Sequence, residues 1–132
     1  MIKDIIRYAG AGITSVLTFV WGGADWWLLA LIVMLIADYI SGIIAAVVNH
    51  ELSSKKGWAG ILKKCMFLLV VAVGHIVDTA IGGGGALRSL VIGFLIANEG
   101  LSIIENAGRC GLPIPQKLLA ALEQLKGDNE DS

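Results

Sequence analysis

Charge is scarce in this chain: Asp, Glu, Lys and Arg make up 16% of its 132 residues, against roughly a quarter in an average soluble domain. The net charge is only −1, so nothing suggests a nucleic-acid partner. Cysteine is nearly absent. Cys65 and Cys110 stand far apart, fit no metal-ligand spacing, and are too few for a disulfide framework. Both fall on the side assigned below to the cytoplasm, where thiols stay reduced. Catalytic constellations are missing as well: there is no evident Ser-His-Asp set, no HExxH and no GxxxxGK[ST]. The run Gly82 to Gly85 lacks the lysine and hydroxyl of a phosphate-cradling loop and reads as a flexible external turn. No enzyme, cofactor or metal is expected.

What the chain has in quantity is apolar sequence, 56% of residues with a mean hydropathy of +0.78. It falls in four blocks parted by short polar punctuation. The clearest runs from Trp26 to Val48, with Asp38 as its only charge. At 1.5 Å per residue it covers ~34 Å, enough to cross a hydrocarbon core of ~30 Å. A third block, residues 61–81, has Lys63 and Lys64 near its entry, where long stems snorkel to the headgroups. A fourth, 87–106, opens with Arg88.

The first block, residues 5–22, leaves alternatives open. Extended to take in Arg7 it spans the membrane, which is the reading adopted. An interfacial amphipathic anchor and a cleaved signal peptide, with Gly22 and Ala24 at a small-residue site, remain beside it. The architecture expected is therefore an all-α membrane protein of four transmembrane helices in two hairpins, residues 1–106. A cytoplasmic tail, 107–132, follows; Pro113 and Pro115 interrupt the chain there before a short amphipathic helix over 116–126. The loop between blocks two and three carries Lys55 and Lys56, while the turns at Gly22 to Asp25 and Gly82 to Gly85 carry no basic residue. By the excess of positive charge on cytoplasmic loops, both termini and the middle loop face the cytoplasm.

Ionisable groups within a bilayer cost roughly 2.5–3.5 kcal/mol each at mid-depth and so demand a reason. Counted from the outer interface, Asp38 and Glu99 both lie ~18 Å deep. At one level in hydrocarbon they are either neutral or lined by water. Two readings follow: they face a shared interface or aqueous pathway, with Asn98 beside them, or they are hydrogen-bonded structural glue. His75 and Asp78 share a helix face near the outer end, and Asp78 is placed to pair with Arg88 across the glycine turn. Small residues at four-residue spacing, Ser41 with Ala45, Gly42 with Ala46 and Gly93 with Ala97, permit close helix approach.

The run Asn98-Glu99-Gly100-Leu101-Ser102-Ile103-Ile104-Glu105-Asn106-Ala107-Gly108, followed by Gly111-Leu112-Pro113-Ile114-Pro115 and a leucine-bearing helix, resembles the signature of the toxin-secretion/phage-lysis holin family. Asp38-Tyr39-Ile40-Ser41-Gly42 and the loop through Ser53, Ser54, Lys55 and Gly57 are similar to it too. The resemblance implies a small protein that homo-oligomerises in the bacterial cytoplasmic membrane and opens lesions. These would release a cell-wall hydrolase, or a toxin in some relatives, with no direct contact required with that partner. Such holins are often described with three spans, one fewer than the four read here. A small four-helix dimeric ion channel or multidrug transporter is the rival reading, and a membrane anchor acting through the amphipathic tail is a third.

Overall fold

A computed structural model describes residues 1–130, with side chains through residue 127. These residues form five helices and no strand: α1 (Ile2–Trp21), α2 (Trp26–Val48), α3 (Ser54–Ile81), α4 (Ala86–Arg109) and α5 (Gln116–Glu130). Asp25 starts α2 by accepting from the Leu28 backbone N–H, and Ser53 starts α3 by accepting from that of Lys56. The helix expected over 61–81 thus begins seven residues earlier, because the polar turn after Ser53 is capped and helical rather than loop. The fourth helix runs on to Arg109, and the tail helix to Glu130.

Three helices, α2, α3 and α4, are long and apolar enough to cross a membrane. The first block does not join them: α1 has the length, but Lys3, Asp4 and Arg7 and its glycines and hydroxyls dilute its hydropathy. Residues 1–16 of α1 are exposed throughout, and only Leu17, Val20 and Trp21 are half-buried. The contact is anchored by the Trp21 indole, whose Nε1–H donates to the Leu68 carbonyl of α3 at 2.9 Å.

The bundle of α2, α3 and α4 is divided into two halves along its length. Towards the Gly82–Gly85 end, Leu28, Leu31 and Leu35 recur at helical spacing on α2 and bury against Val71 of α3 and Ile92 and Leu95 of α4. Gly74 lets α3 approach α4 there: a Cβ on it would stand 3.1 Å from Val91 Cγ2. Towards the other end the interior is polar. The outward face of α2 is apolar as well, with Leu29, Val33, Ile36 and Ile40 at least half exposed. Water would penalise such a stripe, whereas acyl chains cover it at no cost.

After the turn at Cys110 and Gly111, α5 folds back along α4 instead of standing apart from the bundle. Leu122 reaches Gly100, where a Cβ would lie 3.3 Å from Leu122 Cδ2 and 3.3 Å from Met34 Cε.

Candidate functional site: an ion triad shared by three helices

Asp38, Lys64 and Glu99 come from three different helices and stand at one level. Asp38 precedes the end of α2 by ten residues, Lys64 follows the start of α3 by ten, and Glu99 precedes the end of α4 by ten. Each is therefore about 15 Å along its helix from the end that carries the α2–α3 loop. Lys64 Nζ donates to Asp38 Oδ2 at 2.6 Å and to Glu99 Oε2 at 2.7 Å. Glu99 is buried, 2% exposed, while Lys64 at 16% and Asp38 at 11% are half-buried. Since α3 starts at Ser54, Lys64 lies almost three turns in, too deep for snorkelling to be its whole story. Its ammonium turns inward to the carboxylates.

A second tier of hydrogen bonds fixes the triad. Asn106 Nδ2 donates to Asp38 Oδ1 at 3.1 Å and to Ser41 Oγ at 3.0 Å, and the Ser41 hydroxyl donates to the Asp38 carbonyl. Asn98 Nδ2 approaches Glu99 Oε1 at 3.4 Å. Among the described residues no buried side-chain nitrogen or oxygen lacks a partner, as low-dielectric surroundings demand.

The triad lines a cavity of about 480 Å³ together with Glu51, Leu52 and Ser53 of the α2–α3 loop. Its walls include Ser102 and Glu105 of α4, Lys56 and Lys63 of α3, and Lys126 of α5. Arg109 Nη2 holds Glu51 Oε2 at 2.8 Å.

A separate polar cluster locks the opposite end. The Arg88 guanidinium donates to both Asp25 oxygens, at 2.8 and 3.0 Å, and to the carbonyls of Trp21 and Gly23. Asp78 does not pair with that guanidinium. Its carboxylate accepts instead from the backbone N–H groups of Gly85 and Arg88, at 3.1 and 2.9 Å. It thereby caps α4, whose own N-cap position is a side-chain-less glycine. His75 lies beside Gly22, close enough that a Cβ there would fall 2.9 Å from His75 Nδ1. Gly22 has φ +83°, so both space and backbone require glycine.

Of the polar residues singled out in the sequence, Asp38, Asn98 and Glu99 meet at the triad, while His75 and Asp78 belong to the other end. Of the small residues, Ala45 and Ala97 are buried, and Ser41 and Gly42 face Asn106. Ala46 lines the cavity, and Gly93 faces open space. The close approaches occur instead at Gly74 and Gly100. In the sequence Lys64 reads as a snorkelling side chain at a helix entry, and Asn106 and Asp25 are given no role. The available signal was Ser53, an N-cap residue that sets the start of α3 and hence the depth of Lys64.

Three apolar helices joined by a buried ion triad define a small helical membrane protein. The model of the bacteriophage holin family matches residues 15–127, and the chain belongs to that family. It is similar to a 14.9 kDa Clostridium perfringens protein, 39% identical over 127 residues that span 93% of this chain and 96% of the relative. A Listeria monocytogenes protein is 35% identical over 130 residues, covering 96% of this chain and 93% of its own length. Both relatives are described only as uncharacterised. A probable holin of Bacillus phage phi105 is 38% identical over 100 residues, 76% of this chain and 74% of the phage protein. No solved structure matches the chain.

Proposed function

We propose that this chain self-associates in the bacterial cytoplasmic membrane and opens lesions that release a cell-wall hydrolase, or a toxin. The observation that carries the proposal is the ion triad of Asp38, Lys64 and Glu99, set between spans in a member of the holin family. Such a group has two states of acceptable energy. In one copy on its own, the three helices stay together and satisfy each other's charges. In a large assembly, water lines the same polar stripe. Helices parted while still in lipid lie between these states and leave charges without partner or water, which is strongly unfavourable. A high intermediate separating two low states makes opening abrupt. The membrane potential acts on any charge that moves at ~2.3 kcal/mol per 100 mV, so depolarisation biases the choice.

The topology that accompanies this reading puts the α2–α3 loop and the tail in the cytoplasm. If α1 crosses as a fourth span beside a neighbouring copy, the N-terminus is cytoplasmic too. A thiol introduced by Lys3→Cys then reacts with an impermeant maleimide only after the membrane is breached. Labelling in intact cells would leave α1 on the outer surface and the chain with three spans.

Function is tested by inducing the chain alone. Sudden loss of viability with leakage of a cytoplasmic enzyme is expected, with timing altered by Asp38→Asn and by Glu99→Gln. Passage of small ions without protein-sized cargo would favour the channel or transporter reading, and unchanged timing in both variants would remove the triad from the mechanism.

A further inference from the structure

Beside the Lys64–Asp38 pair, Tyr39 also bridges α2 and α3 near their shared loop. Tyr39 lays its ring along α3 beside Gly57 and Gly60, where an added Cβ would meet it at 3.4 Å, and its hydroxyl donates to the Gly57 carbonyl at 3.3 Å. On one side of Tyr39 lies the polar cavity of about 480 Å³; on the other lies a second, of about 300 Å³. Tyr39, Ile43, Leu52, Ser53 and Gly57 line both, so the two compartments adjoin. They differ in chemistry. The second is walled by Trp58 and Ile61 and opens outward between the helices. The first carries Lys56 and Lys63, two turns apart on one face of α3.

The charges of the first compartment divide into used and unused. Lys64 is held by two carboxylates and Arg109 by Glu51. Among the residues with described side chains, Lys56 and Lys63 have no carboxylate within ion-pair distance, and Glu105 is a wall carboxylate without a cation. Lys56 and Lys63 therefore leave two unpaired ammonium groups beside an apolar slot, at the level where Trp58, two-thirds exposed, marks the interface.

We infer that this paired cavity is a binding site for an anionic glycerophospholipid. Its phosphate sits between Lys56 and Lys63, and an acyl chain leaves past Tyr39 along Ile43, Trp58 and Ile61. The lipid enters sideways through the gap between α2 and α3. Charge complementarity selects an anionic headgroup over a zwitterionic one, and the apolar slot distinguishes a lipid from a free phosphate ion. The site does not depend on the chain forming lesions.

The test is native mass spectrometry of the full chain released from nanodiscs containing equal phosphatidylglycerol and phosphatidylcholine. Retained phosphatidylglycerol should exceed phosphatidylcholine about 25-fold, as two lysines at about 1 kcal/mol each imply. Lys56→Gln with Lys63→Gln should bring the ratio near one, while Lys3→Gln with Lys117→Gln leaves it unchanged. Glycerol 1-phosphate in millimolar excess should not displace the lipid. Equal retention of the two lipids by the unaltered chain, an unchanged ratio in the Lys56/Lys63 variant, or full displacement by glycerol 1-phosphate would each overturn the assignment. All of these are read from bound mass, so a chain that fails to lyse cells still answers the question.

Discussion

The Arg88 guanidinium grips the Asp25 carboxylate at both oxygens, 2.8 and 3.0 Å away, across a separation of 63 residues. This pair ties the start of α2 to the start of α4. The adjacent guanidinium holds the Asp25 carboxyl below the usual carboxylate range. A depressed pKa in the folded state means the pair stabilises the fold above the unfolded value of about 3.9, and the gain is lost as pH falls through the folded value. Because Asp25 is 44% exposed, the ion pair is worth about 1 kcal/mol at most. Asp25→Asn keeps a cap acceptor and should cost about 1 kcal/mol, whereas Asp25→Ala also loses the cap and should cost about 2 kcal/mol. Thermal unfolding in detergent between pH 3 and pH 7 checks this, the gap between wild type and Asp25→Asn narrowing below about pH 4. A gap independent of pH would remove the ion pair from the account.

At the triad, one deletion and complete replacement should have opposite effects. Lys64→Met leaves two buried carboxylates with no cation and should cost about 3–5 kcal/mol. Replacing Asp38, Lys64 and Glu99 together by Leu, Met and Leu should restore stability or improve it, while abolishing release of cytoplasmic enzyme. Denaturant titration in micelles and a leakage assay separate the two effects. A triple variant that lyses cells on schedule contradicts the proposed mechanism.

Two glycines of α4 should respond unlike each other. At Gly100 a larger side chain collides with Leu122 and Met34, so Gly100→Leu should cost about 1–3 kcal/mol and loosen α5. Limited proteolysis would then cut the tail sooner. At Gly93 nothing lies within 4 Å, and Gly93→Ala should stabilise the helix by up to about 1 kcal/mol. Equal behaviour at both positions would refute the placement of α5.

The outline of the fold was readable because helices in lipid need long apolar runs, and α2 in particular follows from residues 26–48 alone. Counting residues put Asp38 and Glu99 at one level, and in the fold Lys64 reaches both. What the sequence concealed was direction. Lys64 lies next to Lys63, and only the helical start at Ser53 reveals that one ammonium turns inward while the other lines the cavity wall. Asp78 and Arg88 are near neighbours across the turn, yet Asp78 spends its oxygens on backbone N–H groups that Gly85 cannot cap, which leaves Arg88 for the distant Asp25. The first block was the least legible: α1 is not among the three helices apolar enough to span, and its residues 2–16 are exposed in the single chain.

The doubling back of α5 closes off a flank of α4. With α2 and α3 on one side and Leu122 seated at Gly100 on another, α4 is largely enclosed and has the most buried residues of the five helices. If copies associate as proposed, the stretch of α4 under Leu122 is closed to a neighbour until the tail lifts away. Detachment of a fifteen-residue segment would uncover fresh helix surface in every molecule at once, and a crowd of such molecules would have a reason to wait before joining.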